Sequence, residues 1–259
     1  MSRLIEEFQR ASRAVAPAMG FRTARTAAPA SKMLLIASLE AGTIKSQAGS
    51  LDAAHAVLVR FAGATLTVKS AQTMTAALPD VPWGFYLEDD ADKKAATLLK
   101  AGADFLVFPA AGRIAAVPGD EKVGKILQVE SSMDDGLLRA VNDLPVDAAL
   151  VADTYESSGP LVWHQLMIYQ HLANFISKPL IITTPASINE AELKALWEAG
   201  VDGITIEVAA AAVERLKTLR RALDSLPLRS VRKRGKAAAL LPRPASETGA
   251  EPPGEDGDE

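Results

Sequence analysis

The sequence predicts an α/β protein, a (β/α)8 TIM barrel with an N-terminal helix and a disordered C-terminal tail. Three observations carry that expectation. Short, continuous apolar runs alternate with helical patterns along the chain, as parallel strands buried on both faces require. A phrase also occurs twice: Leu99-Lys-Ala-Gly-Ala-Asp104 runs into Phe105–Phe108, and Trp197-Glu-Ala-Gly-Val-Asp202 runs into Gly203–Val208. Each copy reads as a helix end, a Gly at the stop, a tight turn and a buried strand, with Pro82 and Pro179 opening the two units. The glycines, Gly102 and Gly200, lie 98 residues apart, roughly the length of four βα units of a barrel of about 250 residues. Finally, the chain has 259 residues, enough for one complete barrel with a full core.

Taken in order, residues 2–16 place Leu4, Ile5, Phe8, Ala11 and Val15 on one face of an amphipathic helix. That helix is either a lid over the bottom of the barrel or a dimerisation helix. Residues 17–31 read as a linker. Eight strands are expected at Met33–Leu39, Ala56–Phe61, Gly84–Glu88, Phe105–Phe108, Lys125–Glu130, Ala148–Asp153, Leu180–Thr184 and Gly203–Val208. Helices are expected at Asp92–Lys100, Met133–Val141, Pro160–Ile176, from a Ser187–Glu190 capping box through Trp197, and at Ala209–Leu226. Thr43–Leu51 and Ala110–Gly124 are rich in Gly, Ala and Pro and read as holding little helix. Trp163 and Tyr169 are expected to pack the long helix against the barrel.

The domain reading is therefore an N-terminal helix and linker over 1–31, a barrel over 32–226 and a tail over 227–259. The tail begins with Arg229, Arg232, Lys233, Arg234 and Lys236 and ends in Glu, Asp, Gly and Pro. Such a composition buries too little to offset its ordering entropy. The basic block is either solvated, folded against the acidic end, or placed on RNA or an anionic lipid surface.

Composition narrows the function classes. The absence of cysteine removes disulfides, thiolate metal sites and a cysteine nucleophile, and fits a cytoplasmic location. A net charge of −4 gives no reason to expect nucleic-acid binding. No run approaches a membrane span, and no secretory signal is evident at the start. A small-molecule substrate and a homo-oligomer remain open as partners.

A barrel carries its active site at the C-terminal ends of its strands, so the last inward polar residues are the candidates. Strand parity turns Gln128 and Glu130, Thr205 and Glu207, and Tyr86 and Glu88 into the lumen; Asp153, Arg60 and Glu40 end strands six, two and one. The mouth is thus expected to hold Glu88, Glu130, Asp153 and Glu207, faced by Arg60 and by Lys45 or Lys69. Carboxylates so grouped cannot all stay ionised without a cation, and an all-oxygen set suits Mg2+ or Mn2+. The alternative is a ring of loop carboxylates, each paired with Lys or Arg or hydrated. His55 precedes strand two, away from the mouth, and reads as structural. His164, at the start of the long helix, is either a substrate contact or a surface residue. No Gly-rich phosphate loop and no Ser-His-Asp arrangement is visible.

Two resemblances add to this. Lys125-Ile-Leu-Gln-Val-Glu130 through Leu150-Val-Ala-Asp153, with Leu99 to Pro109 before it, resembles the metal-dependent pyruvate aldolases of the phosphoenolpyruvate/pyruvate barrel superfamily over residues 98–160. The resemblance implies a carbon–carbon lyase acting on a small oxoacid, with metal on Glu130 and Asp153. That family carries Asp-x-Glu-His after strand two, where this chain has Arg60-Phe-Ala-Gly63, and a substrate Arg near strand three, where this chain has Tyr86-Leu-Glu88. Leu196-Trp-Glu-Ala-Gly-Val-Asp-Gly203 is similar to the approach to strand eight in phosphate-binding barrels of amino-acid and cofactor biosynthesis. Their Gly-rich turns are absent here, and Glu207 would repel a phosphate, so this second resemblance implies the fold alone.

The expected function is a divergent metal-dependent lyase or aldolase. Glu130 and Asp153 would hold metal, Glu88 and Glu207 would serve as catalytic carboxylates, and Arg60 would bind the substrate carboxylate. The rival is a catalytically degenerate barrel serving as a binding or assembly module.

Overall fold

Eight parallel strands close into a barrel in sequence order, β1 pairing with both β2 and β8, in the computed structural model of the chain. The structure describes residues 1–15, 32–44, 48–61, 72, 75–78, 80–87, 92–120, 122–152, 159–208 and 213–227. The strands are β1 Leu34–Glu40, β2 Ala56–Arg60, β3 Trp83–Tyr86, β4 Phe105–Pro109, β5 Gly124–Val129, β6 Ala148–Val151, β7 Leu180–Thr184 and β8 Gly203–Glu207. The helices whose bounds fall among the described residues are α1 Arg3–Val15, α2 Asp92–Lys100, α3 Asp135–Ala140, α4 Trp163–Phe175, α5 Glu190–Ala199 and α6 Val213–Ser225. Every expected strand is present, with its ends within two residues. In the two connections read as poor in helix, the described residues include short 3-10 turns at Ala48–Ala53 and Ile114–Ala116.

The strands are apolar throughout because each buries both faces. Leu35, Ala37, Val57, Phe85, Leu127, Ile182, Ile204 and Ile206 pack between sheet and helices. The alternate residues Leu34, Ile36, Ala56, Leu58, Phe105, Val107, Ile126, Ala148, Leu150 and Ile181 fill the lumen. Period-two alternation along each strand produces this division.

The N-terminal helix is the lid. Leu4, Ile5 and Phe8 of α1 join the lumen cluster from below. The Asp104 carboxylate, just before β4, accepts hydrogen bonds from Ser2 Oγ (2.6 Å), Arg3 N (2.7 Å) and Leu4 N (3.0 Å). A carboxylate there satisfies orphan N–H groups and faces the positive end of the helix. The Phe8 ring lies so close to β8 that a Cβ at Gly203 would meet it at 3.1 Å.

The structure corrects two sequence expectations. The box that opens α5 is Asn189 with Glu192, not Ser187 with Glu190: Asn189 Oδ1 accepts from Glu192 N (3.0 Å) and Glu192 Oε2 accepts from Asn189 N (2.9 Å). Both S-x-x-E and N-x-x-E fit the motif; an added half-turn lets Ile188 bury at 1% exposure before the helix starts. Tyr169 packs inward at 1% exposure, but Trp163 stands outward at 81%. The residues 16–31 and 228–259 lie outside the described residues, so the linker and tail readings are not addressed.

Candidate functional site

Polar side chains replace the apolar lumen filling towards the C-terminal ends of the strands. Ser38 follows Ile36 on the lumen face of β1, Arg60 follows Leu58 on β2, Gln128 follows Ile126 on β5 and Thr183 follows Ile181 on β7. Thr205 and Glu207 share the lumen face of β8, since Ile204, Ile206 and Val208 pack with the outer core. Tyr86 packs against the lumen cluster, and its hydroxyl donates to Gln128 Oε1 across the top of the apolar layer. This bond ties β3 to β5 and forms a polar floor for the mouth.

Sheet register gathers part of the expected set onto one arc. Glu207 lies opposite Ser38, and Glu40 lies opposite Arg60, so β8, β1 and β2 carry these four residues on neighbouring strands, with Arg60 two residues further along than Glu207. Glu207 and Arg60 flank β1, two strand spacings apart, or roughly 10 Å. Glu40 and Glu207 are exposed and Arg60 is half-buried. Thr183 and Thr205 continue the arc in register on β7 and β8.

Glu130 is on the other side of the mouth, beyond β5, exposed and with Ser132 Oγ 3.4 Å from its Oε2. Glu88, Asp153, Lys45 and Lys69 lie outside the described residues. His164 is exposed at the start of α4. Sequence patterning alone did not single out Ser38, which is 1% exposed and whose Oγ has no hydrogen-bond partner among the described residues. Its signal was available: it sits two residues beyond Ile36 on the face that strand parity assigns to the lumen.

His55 is structural, as expected. It is 6% exposed at the bottom of β2, where Nδ1 accepts the N–H of Leu35 (2.9 Å). Burial, with help from the Arg220 guanidinium, pushes its pKa down from 6.5 to about 3, so the ring is neutral at physiological pH. Nε2 then carries the proton and has no partner among the described residues.

No protein-family model and no curated protein sequence matches the chain. Solved structures do match it. A mutant tryptophan synthase alpha-subunit from the hyperthermophile Pyrococcus furiosus superposes with a TM-score of 0.59 at 13% identity, over 73% of this chain and 97% of that one. The tryptophan synthase complex from Pyrococcus furiosus gives 0.58 at 14% identity, over 73% and 97%. The α2β2 complex from the same organism gives 0.54 at 14%, over 74% and 97%. This likeness shows the fold. It supports an aldolase-type TIM barrel and does not reach as far as the pyruvate-aldolase superfamily.

The Mg2+ or Mn2+ expectation is overturned. Among the described residues no group of three or more His, Asp or Glu is placed to share an ion. The tryptophan synthase alpha-subunits to which the barrel is similar are not metal-dependent enzymes. The physical reason is geometric. Hard cations need their oxygens within about 2.0–2.6 Å of one centre; Glu207 ends a strand on a different side of the mouth from Glu130, and Asp153, the expected second ligand beside Glu130, lies outside the described residues. Strand ends of like chemistry are legible in sequence; their convergence is not.

Proposed function

We propose that the chain is a barrel lyase that cleaves a carbon–carbon bond in a small oxoacid at the C-terminal mouth, in the cytoplasm. The supporting observation is the arc on which Arg60 and Glu207 flank β1, above the floor made by Tyr86 and Gln128. The roughly 10 Å between their strands suits a substrate of a few carbons. Arg60 presents a guanidinium fork to the substrate carboxylate. Glu207, with Glu88 as the second catalytic carboxylate, takes the proton from a hydroxyl as the neighbouring carbon–carbon bond breaks. The electron pair passes to the oxo group, the enolate forms beside the Arg60 charge, and the proton held on Glu207 returns to the enolate carbon to release the oxoacid. Lyase chemistry is also the class of the tryptophan synthase alpha-subunits that share the fold.

The test is pyruvate release from 4-hydroxy-2-oxoacids, together with thermal stabilisation by pyruvate. Glu207→Gln should retain the stabilisation and lower turnover about 100-fold or more. Arg60→Ala should remove the stabilisation, because a ligand that binds only the native state raises its stability. A chain that neither releases pyruvate nor responds to it is not this lyase, and the binding or assembly module takes its place.

A further inference from the structure

Four buried side-chain polar atoms have no hydrogen-bond partner among the described residues: Ser38 Oγ, His55 Nε2, Trp83 Nε1 and Thr184 Oγ1. Three of them face the helices. Trp83 packs in the outer core, and His55 and Thr184 share strand faces with Val57 and Ile182, which do the same. Of the four, only Ser38 faces the lumen, two residues beyond Ile36. A buried hydroxyl without a partner is unfavourable. An alanine, as at the lumen positions Ala56 and Ala148, would take the same place without that cost. Such a group calls for an explanation, and its place in the sheet supplies one.

Ser38 stands at the centre of the arc. It lies opposite Glu207 of β8, while Arg60 of β2 is two residues further towards the mouth, opposite Glu40. Neighbouring strands are about 4.8 Å apart, so Ser38 is between the proposed base and the proposed carboxylate fork. A 4-hydroxy-2-oxoacid carries its groups in the matching order: carboxylate, oxo group, methylene, hydroxyl. We propose, on the lyase reading of the mouth, that Ser38 is a further catalytic residue whose hydroxyl donates a hydrogen bond to the 2-oxo oxygen of the substrate. With the carboxylate on Arg60 and the 4-hydroxyl at Glu207, the oxo group falls over β1. As the bond between C3 and C4 breaks, its electron pair forms the C2–C3 double bond and negative charge gathers on that oxygen. Ser38 keeps its proton throughout; Glu207 holds the one from the hydroxyl and returns it to C3. The Arg60 fork, paired with the carboxylate, lends charge nearby, and Ser38 supplies the directed bond. At 1% exposure Ser38 is shielded from water, where a fixed donor acts most strongly on developing charge. The residues next above it on the lumen face, Glu40 and Arg60, are exposed and half-buried. Both carry long, flexible side chains that give way to an entering substrate.

The test compares Ser38→Ala with the wild-type chain on a 4-hydroxy-2-oxoacid. Pyruvate release should fall about 100-fold or more, the usual loss for one donor to a developing oxyanion. kcat and kcat/KM should fall together, the mark of an interaction made in the transition state. The melting temperature should not fall, because the deleted hydroxyl bonds nothing among the described residues. Exchange of the pyruvate methyl protons in D2O, followed by proton NMR, should slow by a similar factor, since it passes through the same enolate without breaking a carbon–carbon bond. A variant as fast as wild type in both assays overturns the role of Ser38 and leaves the lyase reading standing. So does a loss of turnover accompanied by a melting temperature several degrees lower, which would make Ser38 a structural residue. A wild-type chain that releases no pyruvate overturns the lyase reading and the role of Ser38 with it.

Discussion

The two copies of the repeated turn have the same backbone and different surroundings. At both, the glycine is left-handed, with φ of 102° at Gly102 and 111° at Gly200. At both, the next N–H reaches back five residues: Ala103 N to Leu98 O and Val201 N to Leu196 O, each 3.1 Å. Both aspartates donate their N–H to the preceding strand, Asp104 to Trp83 O and Asp202 to Leu180 O, each 2.8 Å. The side chains then part. Asp104 accepts three bonds from the start of α1. Asp202 instead accepts from Leu180 N (3.0 Å), holding its own neighbour strand. A local pattern thus sets the turn, while what the turn supports depends on which distant segment lies under it.

The glycines give the largest expected contrast. A Cβ at Gly200 would lie 2.5 Å from the Ala173 Cβ, whereas at Gly102 the nearest atom is Thr75 Cγ2 at 3.5 Å. Both sites carry the conformational penalty for positive φ, but only Gly200 adds overpacking against α4. Gly200→Val should therefore cost about 4 kcal/mol and Gly102→Val about 2, measured by urea unfolding. Equal losses would show that backbone strain alone governs both turns.

The aspartates come next. Asp104→Ala leaves the first turn of α1 without its acceptor and should cost about 2–3 kcal/mol, against about 1 for Asp202→Ala. Hydrogen exchange should show α1 opening first in the Asp104 variant. If α1 stays protected, Leu4, Ile5 and Phe8 hold the lid without its cap.

Acid sharpens the comparison at the bottom of the barrel. Because the His55 pKa is near 3 in the fold against 6.5 for an ordinary histidine, the unfolded chain binds the extra proton between those values. Its contribution is full above pH 6.5 and is lost as pH falls towards 3, on the order of a few kcal/mol. His55→Asn, whose Oδ1 can accept the Leu35 N–H, should flatten that limb of the stability profile. An unchanged limb would show that His55 does not govern the acid sensitivity of the fold.

The smallest effect is expected at the C-terminal boundary. Trp197 Nε1 donates to Pro227 O (3.0 Å), and Leu226 is 4% exposed. Ending the chain after Pro227 keeps both contacts and should leave the melting temperature within about 1 °C. Ending it after Ser225 removes them from the C-terminal copy of the turn and should lower it by several degrees.

Particular residues mark how far the sequence could be read. Eight strands were legible because burial on both faces leaves only apolar runs, and both turns because glycine alone tolerates their φ. Lumen parity was legible too: Gln128, Thr205 and Glu207 follow from a period of two. The site was legible only as a list of strand ends. Whether Glu130 stands beside Glu207 depends on barrel closure, which sets them on different sides of the mouth.

By itself, then, the sequence determined what depends on neighbours along the chain: strand positions, helix stops, facing and the polarity of the mouth. Tertiary structure alone decided what depends on distant partners. It placed Asp104 under Ser2, set Arg60 and Glu207 on one arc, and left Trp163 outside while Tyr169, six residues on, went in. Those outcomes follow from which surfaces meet when the sheet closes, and no local propensity encodes that meeting.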